Sequence, residues 1–178
     1  MPRAAEASSL ALRRICWQAA MRKSGNAVWR WLLSTSNRTF VLYPLAIIAF
    51  EMVLHNARLE VQPWGVALLV WGYLQYKLVG RYRLQCGGGG PGLSVPPQRL
   101  CTDGPYRWMR NPMYLGHLIF LAGLALTFSS WAAAVLLAIH IPWFDRRARE
   151  DESRLAGIFG RDYDAYAARV KRWLPGIY

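Results

Sequence analysis

Two stretches of the 178-residue chain combine charged, aromatic and turn-forming residues at spacings that could do chemistry. The first is DGPYRWMRNPMYLG, residues 103–116, in which Arg107 and Arg110 come just before an Asn-Pro pair. Asn followed by Pro favours the start of a helix, because the missing N–H of proline is harmless there. Free backbone amides at that start, with two guanidinium groups beside them, predict a receptor for a carboxylate or another anion.

The second stretch is DRRAREDESRLAGIF, residues 145–159, which has the pattern of an amphipathic helix. Glu152 falls on its apolar stripe, and Arg147 and Asp151 line an adjacent face. A carboxylate on a buried face requires a cationic or hydrogen-bonding partner, because an unpaired charge in a low dielectric is costly. A structural salt bridge at Glu152 would also explain this pattern.

Aromatic residues follow that helix, with Tyr163 and Tyr166 on one side of the segment FGRDYDAYAARVKRWLP. Aromatic rings beside carboxylates can receive a cation that carries an aromatic base. An anion receptor and such a cation receptor together would hold a zwitterion, and S-adenosylmethionine is one. A basic amphipathic helix lying on anionic lipid is an alternative for the same residues.

Four apolar stretches must position these groups, at 39–55, 63–79, 112–128 and 131–144. The first three approach the roughly 17–25 residues that cross a bilayer as a helix, and the fourth is shorter. The net charge is +12 and the hydrophobic content is 54%. So apolar a chain, with nine Trp, is unusual for a nucleic-acid-binding domain, and nucleic acid is not expected as a partner.

Charge placement favours a membrane protein over a soluble bundle. If all four stretches cross, both chain ends and the 80–111 connector share one side, and only Arg58 of the 22 Lys and Arg lies opposite. Positively charged segments normally stay cytoplasmic. We therefore predict an all-α integral membrane bundle of about four spans with cytoplasmic termini, in the inner membrane if the source is bacterial. Ser129 and Ser130 alone separate the last two spans, which predicts a tight hairpin.

Polar residues within these stretches are candidates for function, because they are costly in hydrocarbon. They are Glu51, Gln75, His117 and His140. His117 follows Tyr114 by three residues and His140 precedes Arg147 by seven, so the hairpin could bring all four together. Alternatively, each His only hydrogen-bonds a neighbouring helix. Glu51, near the end of its span, is interpreted as an interfacial charge.

The rest of the chain carries weaker signals. Residues 1–38 are predicted to be a basic segment, amphipathic over 9–33 or disordered, ahead of a membrane domain at 39–178. The three cysteines, Cys16, Cys86 and Cys101, are expected to be unpaired, with lipidation of Cys16 or Cys86 as an alternative. No metal site is expected.

Both motifs resemble those of one superfamily. GPYRWMRNPMYLG is similar to the G-x-Y-x-x-x-R-[HN]-P-x-Y-x-G signature of the membrane-embedded isoprenylcysteine carboxyl methyltransferase and phospholipid methyltransferase superfamily. DESRLAGIFGRDYDAYAARVKRWLP resembles its E-E-x-x-L-x-x-x-F-G-x-x-Y-x-x-Y-x-x-x-V-x-R-x-x-P segment. Asn111 stands where the eukaryotic carboxyl methyltransferases carry His, and Asp151 replaces the first Glu.

The resemblance implies an S-adenosylmethionine-dependent methyltransferase whose cofactor is enclosed by the last two spans and the folded tail 145–178. A lipophilic or lipidated substrate would arrive from the bilayer. Arg147 and Glu152 match the superfamily residues that position the reacting group. The cofactor-binding residues implied by position are Arg110, Asn111, Pro112, Tyr114, Asp151, Glu152, Tyr163 and Tyr166. The spacing of the hairpin adds His117 and His140 to these candidates.

Several functions remain open at this point. Within the superfamily, the acceptor could be a prenylated cysteine carboxylate, a phospholipid amine or a small thiol. An NADPH-dependent membrane reductase of similar helical fold would also suit the Arg-rich helix entry. A non-enzymatic membrane protein could instead use its basic faces to bind anionic lipid. The sequence does not specify an oligomeric state.

Overall fold

The structure is a computed structural model that describes residues 29, 31–32, 34–90 and 95–173. These residues form helices and connectors without any β-strand, which confirms the all-α prediction for this part of the chain. Internal contacts divide the chain into two units, Met1–Leu42 and Tyr43–Tyr178. In the first unit, a helical turn at Thr35–Asn37 is followed by a π-helical turn at Arg38–Leu42. Most of the predicted segment 1–38, with Cys16, lies outside the described residues.

The described residues of the second unit form five α-helices, which carry most of the first predicted apolar stretch, the other three stretches and the tail as far as residue 169. They are α1 (Tyr43–Leu54), α2 (Pro63–Gly87), α3 (Pro112–Thr127), α4 (Trp131–Phe159) and α5 (Arg161–Arg169). Helix α2 continues well past the predicted end at 79, and α4 runs through Pro142 into the charged tail. By length and composition, one described helical stretch, Thr35–Leu54, could cross a membrane, while α3 is apolar but shorter.

Helices α2 and α3 pack antiparallel with their backbones in close contact. A Cβ atom added to Gly72 would lie 2.7 Å from the carbonyl oxygen of Gly116 and 2.5 Å from the amide nitrogen of Phe120. Small residues permit this approach. Gln75 Nε2 donates a hydrogen bond to the Pro112 carbonyl over 3.0 Å, which satisfies a polar side chain that the sequence analysis singled out. Helix α2 thereby fixes where α3 begins.

The connection between α3 and α4 is the tight hairpin expected from Ser129 and Ser130. Ser130 caps α4, because its side-chain oxygen accepts a hydrogen bond of 3.2 Å from the Ala133 amide. Ala133 and Leu124 are buried on facing helices and pack with Ile47 of α1. The hairpin is therefore tied to the apolar core of the unit.

A turn at Gly160 folds the tail back over the start of α3. Gly160 has a φ of 51°, which is easily reached without a side chain, and it separates α4 from α5. Beyond α5, the carbonyl oxygens of Lys171 and Arg172 accept hydrogen bonds of 2.9 and 3.2 Å from the amides of Arg110 and Asn111. The two sequence motifs are thus joined through their backbones.

The prediction that Cys86 and Cys101 are unpaired was wrong. They form a disulfide, with their Cα atoms 5.7 Å apart, across the connector between α2 and α3. The chain reverses between them, where the amides of Gln98 and Arg99 both donate to the Gly87 carbonyl. Sequence spacing could not show this pairing, because it depends on that reversal.

The glycine contact between α2 and α3 can be tested by adding a single methyl group. Gly72→Ala should lower the free energy of unfolding by about 1–3 kcal/mol, because the added carbon overpacks the helix contact. Gly157→Ala is the matched control, since a Cβ there meets nothing within 4 Å. This control should stabilise the protein by about 0.5–1 kcal/mol. Thermal unfolding followed by circular dichroism measures both, and equal midpoints would contradict the close contact.

Thiol titration tests the disulfide. Cys86 lies in the last turn of α2 and Cys101 in the connector that follows. The sequence analysis predicts that this side is cytoplasmic, where disulfides are rare, so the oxidation state of the pair in the isolated protein is informative. Protein denatured without reductant should expose one reactive thiol, that of Cys16, and reduction should expose all three. Reduction should also lower stability by about 3 kcal/mol, the value expected for a loop of this length. Three thiols before reduction would refute the pairing.

Candidate functional site

A cavity of about 60 Å³ lies where the end of α2, the connector before α3, the start of α3, and helices α4 and α5 meet. Six residues of its wall were predicted from the sequence to belong to one site. They are Arg110, Asn111, Asp151, Glu152, Tyr163 and Tyr166. The structure therefore brings together residues of both motifs.

Glu152 is the centre of this site and is 8% exposed. Its carboxylate accepts hydrogen bonds from Asn111 Nδ2 at 2.7 Å and from Arg172 Nη2 at 3.0 Å. Arg110 Nη2 lies 3.3 Å from the same group. The partner that a buried Glu152 required is thus supplied by the start of α3 and by the tail. We call Glu152, Arg110, Asn111 and Arg172 the Glu152 cluster.

The start of α3 differs from the anion receptor that the sequence predicted. Asn111 is the N-cap residue, but its side chain bonds Glu152 and makes no capping bond. The backbone amides of Arg110 and Asn111 are bonded to carbonyls at 171–172, so they are not free. Arg107 is exposed and lies outside the cavity wall. Of the two predicted arginines, only Arg110 lines the cavity, and the other guanidinium groups of the wall belong to Arg83 and Arg99. An anion receptor at the start of α3 thus stays a prediction.

The predicted convergence of Tyr114, His117, His140 and Arg147 occurs around Phe144, a fully buried residue that the sequence analysis missed. The Phe144 ring centroid lies 5.4 Å from that of Tyr114, 5.1 Å from His117 and 6.0 Å from His140. Arg147 hydrogen-bonds the Tyr114 side chain. None of these five side chains lines the cavity.

The two histidines make hydrogen bonds within the helix packing. His117 Nδ1 lies 3.0 Å from the Met113 carbonyl oxygen, and His140 Nε2 lies 3.1 Å from Tyr43 Oη. Pro112, at the first turn of α3, is buried and also stands outside the cavity wall. This geometry favours the structural alternative for both histidines. A direct contact with a cofactor stays a prediction for these three residues.

Asp151 joins the Phe144 packing to the cavity. It lines the cavity and accepts a hydrogen bond from Tyr114 Oη. The hydrogen bond with Tyr114, aided by the charge of Asp151, raises the pKa of Arg147. A connected path of polar groups, Arg147, Tyr114 and Asp151, thus runs from the exposed face of α4 to the cavity.

Tyrosines form the aromatic part of the wall. Tyr166 Oη donates to the Tyr106 carbonyl over 2.7 Å, whereas Tyr163 Oη has no partner among the residues described. Burial raises the pKa of Tyr163 to about 12, and the negative charge of Glu152 acts in the same direction. The Tyr163 hydroxyl is therefore protonated near neutral pH. It is a buried donor that a polar ligand could satisfy.

The sequence analysis did not select Arg172, although it lies within the tail motif. Its position is fixed by its neighbour, because Trp173 Nε1 donates to Asp145 Oδ1 over 2.9 Å. Partial burial of Asp145 opposes its ionisation. The hydrogen bonds from Trp173 and Arg149 nonetheless hold the pKa of Asp145 below its usual value. A negative Asp145 thus anchors the tail at the level of Glu152.

Comparison with known proteins agrees with this architecture. Residues 64–162, more than half of the chain, match the sequence profile of the family described as Phospholipid methyltransferase. The chain belongs to the phospholipid methyltransferase family. The match confirms the superfamily resemblance and covers α2, α3, α4 and the start of α5.

Curated relatives match a shorter segment. A probable protein-S-isoprenylcysteine O-methyltransferase of Oryza sativa subsp. indica is 36% identical over 81 residues, 44% of this chain and 42% of the relative. The protein-S-isoprenylcysteine O-methyltransferase of Schizosaccharomyces pombe is 29% identical over 79 residues, 44% of this chain and 34% of the relative. The human enzyme of the same name is 34% identical over 79 residues, 44% of this chain and 28% of its own length. The match thus spans less than half of each relative.

Removing one arginine tests the Glu152 cluster. Arg172→Ala should lower the free energy of unfolding by about 3 kcal/mol, because it leaves a buried carboxylate short of a partner. Arg146→Ala is the matched control, since Arg146 forms an exposed pair with Glu150 on the same helix as Glu152. The control should change stability by less than about 0.5 kcal/mol. Denaturant titration measures both values, and similar values would show that Arg172 is not structurally engaged.

Proposed function

We propose that this protein is an S-adenosylmethionine-dependent methyltransferase that acts on a lipophilic acceptor in a membrane. The observation that carries this proposal is the cavity in which both sequence motifs meet, with carboxylates, guanidinium groups and buried tyrosines in its wall. Family membership supports the class of reaction. The names of the relatives, all protein-S-isoprenylcysteine O-methyltransferases, support a carboxylate as the acceptor.

The side chains of the cavity match the chemistry of the proposed cofactor. Arg110 would pair with its carboxylate, and Asp151 and Glu152 would receive its ammonium group. The rings of Tyr163 and Tyr166 would contact the sulfonium or the adenine base. When bound, the cofactor supplies an electrophilic methyl group, so the protein needs chiefly to align the acceptor and exclude water.

The size of the cavity implies that binding requires movement. A volume of about 60 Å³ is far below the roughly 300–1,000 Å³ of sites that enclose small molecules. The Glu152 cluster holds the tail against the start of α3, so its rearrangement would enlarge the space. Charged groups of the cofactor would then replace Arg172 as partners of Glu152. In this proposal, Glu152 is a positioning residue for the cofactor.

Arg147 is the proposed partner of the acceptor. It lies on the exposed face of α4, three residues beyond the predicted span 131–144, where a lipid-linked carboxylate would meet the bilayer surface. Its raised pKa keeps it charged. Through Tyr114, Arg147 is connected to Asp151 of the cavity, so the acceptor and the donor would be held by one network.

Exposed apolar side chains support the membrane location. Trp64 of α2 is 84% exposed, and Trp71 follows two turns later on the same face. Trp131 and Ile139 of α4 likewise expose apolar surface at helical spacing. Extended apolar faces of this kind suit contact with lipid. We propose that the apolar parts of α1 to α4 span the membrane within a domain at 39–178, with cytoplasmic termini.

Binding of S-adenosylhomocysteine tests the cofactor site. Calorimetric titration of the protein in lipid nanodiscs should show saturable binding. Tyr163→Phe should weaken it about tenfold through loss of one buried hydrogen bond. Glu152→Gln should weaken binding further, since it also removes a charge. Tyr73→Phe, on the exposed face of α2, is the control and should bind as wild type does. No binding, or equal binding by all variants, would contradict the proposal.

Transfer of labelled methyl identifies the acceptor. A farnesylated cysteine with a free carboxylate should become labelled, whereas its methyl ester, phosphatidylethanolamine and a small thiol should not. Arg147→Ala should raise the apparent KM for the carboxylate acceptor at least tenfold and leave S-adenosylhomocysteine binding unchanged. Arg146→Ala, which removes an exposed arginine of α4 that pairs with Glu150, is the control. Labelling of the amine instead would assign the enzyme to phospholipid N-methylation.

A further inference from the structure

A second cavity lies at the opposite end of α3 from the Glu152 cluster. Its volume is about 280 Å³, and its wall includes Glu51 and His55 from the end of α1 and Ser129 from the turn between α3 and α4. The 16 residues of α3 separate the two cavities by about 24 Å along the helix axis. This cavity is therefore distinct from the proposed cofactor site.

Glu51 is the feature that makes this cavity a candidate binding site. Its sequence position suggested an exposed interfacial charge, but the structure leaves it 3% exposed. One oxygen, Oε2, lies 3.2 Å from His55 Nε2. The other, Oε1, is buried and makes no hydrogen bond to any residue in the described part of the chain. A buried acceptor without a donor is unfavourable, so a ligand that supplies a donor would stabilise it.

The charges around the cavity define the ligand. Glu60, on the connector, adds a second carboxylate, and Arg58 contributes a guanidinium group. Both Arg58 and Glu60 are exposed, so they lie at the rim while Glu51 lies in the interior. An anion would meet the buried carboxylate, which is unfavourable. No group of three His, Cys, Asp or Glu within the described ranges could hold a metal ion.

We propose that this cavity binds an ammonium group, with an N–H of the ligand donating to Glu51 Oε1. A primary ammonium has three donors and a positive charge, which match one unpaired carboxylate oxygen and the Ser129 side chain nearby. An oxygen or phosphate on the same molecule would face Arg58 at the rim. The ligand is either a small free amine or the headgroup of an amino lipid. This inference does not depend on the methyltransferase proposal, because it uses none of the same residues.

The test compares two molecules of nearly equal size. Calorimetric titration of the full chain in detergent with ethanolamine should show saturable binding, and ethylene glycol, which lacks the charge, should not bind. Glu51→Gln should weaken ethanolamine binding at least about tenfold, the loss expected for a charge-assisted hydrogen bond. Glu150→Gln, an exposed carboxylate on α4, is the control and should leave binding unchanged.

A lipid arm separates the two possible sources of the amine. Native mass spectrometry of protein in mixed vesicles of phosphatidylethanolamine and phosphatidylglycerol should show retention of the former if a headgroup is the ligand. Retention lost in Glu51→Gln supports the site, as does ethanolamine binding alone. If Glu51→Gln does not fold, the site is tested instead with Glu51→Asp and with the comparison of ethanolamine and ethylene glycol on the wild-type protein. The inference is overturned if neither ammonium compound binds, or if ethylene glycol binds as well as ethanolamine.

Discussion

The buried carboxylate of Glu152 is the interaction on which the arrangement of the candidate site depends. It lies on α4, yet its partners come from the start of α3 and from the tail beyond α5. Removing the carboxylate from water is costly, so the chain must bring cations and an amide to it. That requirement fixes the position of the tail relative to the α3 start. The small cavity, its tyrosine wall and the backbone bonds between Arg110, Asn111 and the tail all follow from this arrangement.

The Glu152 cluster can form only because helices α2 and α3 pack at a short distance from each other. Gly72 and Gly116 let α2 and α3 approach closely, and Gln75 then reaches the Pro112 carbonyl. The position of Pro112 sets that of Asn111, one residue earlier. A contact that involves no charged group in the middle of the unit thus determines where a charged cluster can form at its end.

The features that depend on local residue spacing could be predicted from the sequence. The three-and-four spacing placed Glu152 on a buried face, and the hairpin at Ser129 and Ser130 followed from its length. Pairings between distant residues could not be predicted. Arg172 reaches Glu152 through the turn at Gly160, and Cys86 meets Cys101 through a chain reversal. The geometry of these two pairings depends on the direction that the chain takes at each turn, which hydrophobic periodicity does not encode.

Burial and helix ends show the same limit. Glu51 falls near the end of an apolar run, where exposure is usual, but in the structure it is 3% exposed and lines a cavity together with Ser129 of the α3–α4 turn. Helix α2 continues to Gly87 because its more polar second half can still form a helix. That half is no longer apolar enough to be predicted as part of a membrane span. Hydropathy measures the solvent that a segment prefers, and it does not by itself mark where the hydrogen-bonded helix stops.

Pro142 gives α4 a mechanical weak point. Proline cannot donate the backbone bond that normally stiffens a helix, so bending concentrates there. Glu152 follows it by ten residues, about 15 Å along the axis, and a bend of about 20° would displace the carboxylate by about 5 Å. No hydrogen bond survives such a displacement. In the proposed membrane arrangement, bilayer thickness and lateral tension would act on the half before Pro142, and they would thereby influence whether the tail keeps its contact with the start of α3.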